Sequence, residues 1–200
     1  MVPQLVERSI SALVEEIERL RRELDLAHHY ENFLGEEADR HPTLPVLNRR
    51  AMHRALGQLL VASEQAGIPG SLLYLHVGGI ERLRVSQGLA ASDLALSIVA
   101  RTIRAECRQT DLIGYLDGGD FAIALALADS GSALEKAQTL ADRLVAQPVI
   151  WQDKNFFLTV GFGLAHFRAD LTADDALSLA DAARRGMPCE DGLQGKSVKF

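Results

Sequence analysis

The chain has 200 residues, 48% of them hydrophobic and 24% charged, a balance that excludes wholesale disorder and allows one domain with a real core plus a short extra element. Its formal net charge of -6 argues against a dedicated nucleic-acid binder, which carries a basic surface. Cys107 and Cys189 are the only cysteines; so far apart, they argue against a disulfide framework or a zinc site and make a reducing, cytoplasmic setting the simplest expectation.

In chain order, the first segment carries early acids and no apolar run, so no signal peptide is expected. Val6, Ile10, Leu13, Ile17, Leu20, Leu24 and Ala27 recur at alternating steps of four and three. That is a heptad seam, with β-branched residues at a and Leu at d, and it predicts a long helix that pairs two chains. Glu16 at g and Arg21 at the following e suit an interchain ion pair. The alternative is one helix packed on its own domain. The boundary is set at residues 1–38 for this helix and 39–200 for a globular domain.

Pro42 and Pro45 give an extended link, and Asn48 is the expected N-cap of a helix over residues 49–66. Gly67 to Ser71 is a turn, and Ser71 to Val77 a buried strand. A helix is expected over residues 91–107 and a strand over 111–116. Asp117 to Asp120 (DGGD) reads as a hairpin turn, because glycine supplies positive φ. The return strand, Phe121 to Ala128, is the longest apolar run and is far too short to span a bilayer, so no membrane insertion is expected. A helix over 132–147, a strand over 156–167 and a helix over 173–185 complete the chain. This order predicts an α/β (α+β) sandwich around an antiparallel or mixed sheet.

Arg108 to Leu125 (RQTDLIGYLDGGDFAIAL) resembles the signature region of GGDEF domains, the diguanylate cyclase family. TLPVLNRRAM (Thr43 to Met52), SLLYLHVGGIERLRVSQGLAASDLAL (Ser71 to Leu96), LTVGFGLA (Leu158 to Ala165) and ADAARRG (Ala180 to Gly186) resemble further motifs of that family in the right order. The resemblance covers residues 39–200 and implies a GGDEF fold that joins two GTP molecules into cyclic di-GMP, with carboxylates holding Mg²⁺ at the triphosphate.

Carried over position by position, the family's first metal Asp becomes His76, its second Asp Gly78, its phosphate-contacting Lys Glu81 and its guanine-reading Asn Arg84. Asp93 keeps the guanine-edge acid. An ungapped match places Asp117, Gly118, Gly119, Asp120 and Phe121 on the signature, so Gly119 takes the place of a metal carboxylate. A shifted match makes Gly118 and Gly119 the two glycines and Asp120 the carboxylate, with a bulge absorbing the deletion. The late phosphate Lys falls within Met187, Pro188 and Cys189. These departures imply a vestigial nucleotide site, no catalytic residue, no metal and no cofactor. The chain is therefore expected not to be an enzyme.

Arg108 and Asp111 match the family's RxxD motif, whose Arg can fork to phosphate or guanine and whose Asp accepts guanine N–H groups. The resemblance thus makes them a cyclic di-GMP site, with Arg82, Arg84, Arg101, Arg104 or Arg143 as second arginine. In the alternative, Arg108 ends a helix and Asp111 caps a turn. His28 and His29 are read as solvated helix-end residues, His41 as structural, and Trp151, Phe156 and Phe157 as core or rim packing, while Arg184 and Arg185 form at most a small basic patch. The leading expectation is a homodimeric, catalytically inactive signalling domain that binds cyclic di-GMP or a protein partner. A scaffold that binds no nucleotide and a weakly active cyclase using Asp120 and Asp93 stay open as alternatives.

Overall fold

The protein is described from a computed structural model, over residues 16–25, 35, 37–186 and 197–198. The chain separates into two compact units, Met1–Ala38 and Asp39–Phe200.

In the first unit, residues 16–25 are helical (α1). Ile17, Leu20 and Leu24 are 49%, 51% and 56% exposed. Glu16 accepts a 2.5 Å hydrogen bond from Arg19 Nη2 one turn along the same helix. Val6, Ile10, Leu13, Ala27, His28 and His29 lie outside the described residues, as do Met187, Pro188 and Cys189.

The second unit begins with α2 (Arg49–Ala66). Asn48 Oδ1 accepts from the Ala51 N–H at 3.0 Å, satisfying one of the orphan donors of the first turn. Gly67, at φ 64°, closes the helix in the left-handed conformation. Then follow β1 (Gly70–Gly78), α3 (Ile80–Gln87), α4 (Leu89–Glu106), β2 (Leu112–Asp117), β3 (Asp120–Ala126), α5 (Ser130–Ala146), β4 (Val149–Trp151), β5 (Lys154–Phe156), β6 (Thr159–His166), α6 (Ala173–Arg184) and β7 (Ser197–Val198).

The main sheet has the order β2-β3-β1-β6-β7, and each neighbouring pair is antiparallel. β1 is central. Successive side chains of a strand point to opposite faces, so Leu73, Leu75 and Val77 enter one core with Leu83 of α3, Val99 of α4 and Leu140 of α5. Leu72 and the partly buried Tyr74 face the other layer, with Met52 and Leu56 of α2 and Ala180 of α6. The outcome is the expected α/β architecture, helices covering both faces of an antiparallel sheet.

Two elements depart from the expected order. α3 occupies a stretch read as loop, because only Ile80 and Leu83 mark its buried face and eight residues give little periodic signal. The strand expected over 156–167 is divided. β4 and β5 form a separate two-stranded hairpin, turning at Gln152 and Asp153 with φ of 46° and 61°. Positive φ at both central residues is usually signalled by Asn or Gly, and neither is present. Trp151 and Phe156 of this hairpin pack against the core, whereas Phe157 is 64% exposed, so the expected packing role holds for two of the three aromatics. No helix among the described residues is long and apolar enough to cross a membrane.

Candidate functional site

The C-terminal end of β1, α3, the start of α4 and the β2–β3 turn enclose a cleft of about 440 Å³. His76, Arg84, Asp93, Asp117, Gly118, Gly119 and Asp120 all line it, so the tertiary fold gathers residues spread over 44 positions of sequence.

The turn is built by its two glycines. Gly118 has φ 61°, a conformation that side chains disfavour. At Gly119 a Cβ would stand 2.2 Å from the Val77 carbonyl oxygen, while the Gly119 carbonyl accepts from Val77 N–H at 2.8 Å. This close approach locks the hairpin tip onto β1. A register irregularity falls between Tyr115 and Asp117, on the strand leading into the turn, and Asp120 rather than Gly119 is the residue paired with His76.

His76 Nδ1 lies 2.6 Å from Asp120 Oδ1. From the same face of β1, Tyr74 hydrogen-bonds Asp120; burial first, then the Asp120 carboxylate, push the Tyr74 hydroxyl well above its ordinary pKa. The Arg184 guanidinium lies 5.6 Å from the centre of the Tyr74 ring and donates to Asp181 at 2.7 Å. Sequence reasoning does not single out Tyr74, although its i, i+2 relation to His76 on a strand is an available signal. Tyr115, also unflagged, donates from its hydroxyl to the Gly118 carbonyl at 3.2 Å. Its ring meets His41 edge-on at 4.9 Å, and burial raises its pKa, with Asp117 adding to the effect. His41 holds the preceding loop by accepting from the Leu44 N–H at 3.3 Å. Asp117 is exposed and accepts from the Gly118 N–H at 2.7 Å.

Mg²⁺ takes oxygen ligands, commonly one or two carboxylates with substrate phosphates. The cleft offers an imidazole at the first carboxylate position, and the remaining carboxylate, Asp120, is bonded to that imidazole. No group of three or more His, Cys, Asp or Glu placed to hold a metal occurs among the described residues. This donor set does not fit a two-carboxylate Mg²⁺ centre.

The phosphate end is also altered. α3 opens at Gly79 with no side-chain cap and has Glu81 in its first turn. A helix N-terminus favours an anion, but a carboxylate beside it opposes a triphosphate. Glu81→Lys is therefore expected to tighten GTP binding about fivefold at low salt, with the gain shrinking as ionic strength rises; calorimetric titration at two salt concentrations checks this.

Arg108 and Asp111 do not line this cleft. Asp111 is only 4% exposed, and its Oδ2 accepts from the Arg108 backbone N–H at 2.8 Å, while Arg108 itself is exposed. The Asp therefore shapes the turn after α4, and the Arg is the member of the pair presented outward. Among the arginines named as partners, Arg143 is engaged by Glu106.

The family model described as "Diguanylate cyclase, GGDEF domain" matches residues 43–187. The chain is 28% identical over 193 residues to diguanylate cyclase TpbB of Pseudomonas aeruginosa, covering 88% of this chain and 42% of that protein. It is 27% identical over 106 residues to the probable diguanylate cyclase DgcF of Escherichia coli, covering 52% of this chain and 34% of that protein. The chain thus spans less than half the length of these relatives. Among solved structures, the GGDEF domain of DgcB from Caulobacter crescentus, in complex with c-di-GMP, superposes with a TM-score of 0.71 at 16% identity, covering 74% of this chain and 86% of that one. Diguanylate cyclase SiaD of Pseudomonas aeruginosa, in complex with its activator SiaC, gives 0.74 at 24% identity, covering 90% and 70%. The expectation that the chain is not an enzyme is overturned by these relatives, which are named diguanylate cyclases: substituted ligands in one cleft do not remove a chain from an enzyme class. With a match across residues 43–187 and a cleft built at the family's signature hairpin, the chain belongs to the GGDEF family, the diguanylate cyclase domains of cyclic di-GMP signalling.

Proposed function

We propose that the cleft binds GTP and that the domain contributes to cyclic di-GMP formation at a rate limited by having a carboxylate, Asp120, at one metal position and an imidazole, His76, at the other. The observation that supports this is the convergence of Arg84, Asp93, His76 and Asp120 on one cleft. Arg84 and Asp93 stand at the base-reading end, and the start of α3 offers backbone N–H groups to phosphate. Two domains must face each other to join two nucleotides, and pairing through α1 supplies the second copy. The half-exposed Ile17, Leu20 and Leu24, on a heptad spacing, support that pairing. Incubation with GTP and Mg²⁺ or Mn²⁺, read by chromatography beside a calorimetric GTP titration, tests the reading. Failure of millimolar GTP to bind sinks it, and binding without any cyclic di-GMP removes its turnover half.

The dimer has its own test. Ile17→Asp places a charge in the seam and is expected to convert the dimer to monomer, raising the dissociation constant at least about a hundredfold. Light scattering across a dilution series checks it; an unchanged dimer overturns the coiled-coil assignment.

The outward-facing Arg108 favours a second reading, in which it forks to a phosphate or guanine of cyclic di-GMP while Asp111 fixes the turn that presents it. A titration of cyclic di-GMP into wild type and Arg108→Ala decides it, and absence of heat with wild type ends the receptor role.

A further inference from the structure

Asp120 stands between two depressions. It lines the cleft and also a recess of about 260 Å³ on the α2 and α6 side of the sheet, which Tyr74 and Asp181 line with it. Its side chain is 30% exposed, and an aspartate with such room can leave one staggered rotamer for another. His76 holds one of its oxygens, Oδ1, at 2.6 Å. The second partner comes from the recess. Asp120 is opposite His76 in the β1–β3 register, and Tyr74, two residues earlier on the same face of β1, is its diagonal neighbour. The Tyr74 hydroxyl hydrogen-bonds the Asp120 carboxylate; burial first and then that carboxylate keep the hydroxyl protonated, so it is a donor at neutral pH. Tyr74 lines the recess and not the cleft, so it meets Asp120 from behind.

The ring has a seat made by small residues. Its cross-strand partners are Ala122 on β3 and Gly163 on β6. Over Gly163 the sheet and α6 approach so closely that a Cβ would stand 2.3 Å from the Arg184 nitrogen. That approach brings the Arg184 guanidinium to 5.6 Å from the centre of the Tyr74 ring. Arg184 is itself fixed, because Asp181 Oδ1 accepts from its Nε at 3.0 Å and its Nη2 at 2.7 Å. A cation against the ring polarises the phenol and strengthens its hydroxyl as a donor. We infer that Tyr74 is a positioning residue for the cleft: its hydroxyl, on a ring held in place by Arg184 of α6, keeps the Asp120 carboxylate in one rotamer with Oδ1 against His76. The inference rests on the reading of the cleft as a site that turns over GTP. Without the hydroxyl, His76 is left as the one partner, and the carboxylate is free to swing between cleft and recess.

The test uses the full chain and Tyr74→Phe, which removes one oxygen and keeps the ring and its packing. In isotope-labelled protein without nucleotide, the three-bond couplings from the Asp120 carboxyl carbon to its backbone nitrogen and carbonyl carbon read χ1 directly. Wild type is expected to hold one staggered rotamer, and Tyr74→Phe to average over at least two. A tyrosine that only fills space would leave χ1 unchanged, so equal couplings overturn the inference. In GTP turnover, kcat of Tyr74→Phe is expected to fall about tenfold with KM within about twofold, the scale of one lost hydrogen bond to a charged group. An unchanged kcat, or a change confined to KM, overturns the positioning role while leaving the nucleotide site standing. A wild type that forms no cyclic di-GMP removes the turnover reading instead, and the couplings still decide whether Tyr74 holds Asp120.

Discussion

His76→Asp is expected to raise the rate of cyclic di-GMP formation in Mg²⁺ by about a hundredfold over wild type, equivalent to about 2.7 kcal/mol of transition-state stabilisation. The β1–β3 register places residues 76 and 120 opposite each other, with their side chains already in contact at 2.6 Å. Replacing the imidazole by a carboxylate removes one of the two partners of Asp120, leaving Tyr74, and would offer a divalent cation two hard oxygen donors in place of one. In the variant, residues 76 and 120 would hold a divalent cation, which would supply charge neutralisation at bound phosphates. The same change has a signature independent of turnover. Two carboxylates at this separation repel when no cation lies between them, so the variant's melting temperature is expected to fall in EDTA and recover in Mg²⁺, while wild type responds little. Chromatography of the product over time and paired thermal melts check both halves. Equal rates in the two proteins, or no Mg²⁺ response of the variant's melting temperature, would show that position 76 does not control the metal end of the cleft.

The second large effect concerns the fold. Gly163→Ala is expected to destabilise the globular domain by about 3 kcal/mol, the upper part of the range for overpacking. Gly163 sits on β6, opposite Tyr74 of β1. A Cβ there would stand 2.1 Å from the Ala180 carbonyl oxygen and 2.3 Å from the Arg184 nitrogen, both backbone atoms of α6. No side-chain rotation relieves such a contact, so the helix must lift from the sheet. α6 carries Ala180 and Ala183, buried at 0% and 2% exposure, and small residues on both partners are what allow this close packing. Lifting α6 also withdraws Arg184 from the Tyr74 ring, and with it part of the support behind Asp120. Denaturant melts of the variant against wild type check the loss; a shift below about 1 kcal/mol would mean that α6 is free to adjust.

The legibility of this chain follows the strength of local signals. α2 is readable to the residue because Asn48 and Gly67 are cap residues on either side of an amphipathic run, and caps are local chemistry. The β2–β3 hairpin is readable because two glycines supply backbone conformations that other residues resist. α3 escapes a reading of the sequence because two buried positions in eight residues look like loop, and β4–β5 because its positive-φ turn is made by Gln152 and Asp153. The residues of the cleft are reached from sequence only through resemblance to a family. Composition and spacing alone do not connect His76 with Asp120 or Arg84 with Asp93. The non-enzyme expectation fails for a related reason: counting lost ligand types position by position does not decide the class to which a fold belongs.

By itself, the sequence determined the element types apart from α3 and the β4–β5 hairpin, the heptad spacing of Ile17, Leu20 and Leu24, the glycine turn and the family to which these belong. Those properties are set within a few residues of chain, by side-chain periodicity and backbone freedom. The tertiary structure decided which of the chemically capable side chains meet. It joined His76 to Asp120 through a strand register, brought Tyr74 in behind them and turned Asp111 inward onto the Arg108 backbone. It also left Arg84 and Asp93 on one cleft, unpaired among the described residues. Contacts of this kind depend on how distant segments pair and on which groups packing leaves exposed, and a linear pattern of residues holds neither.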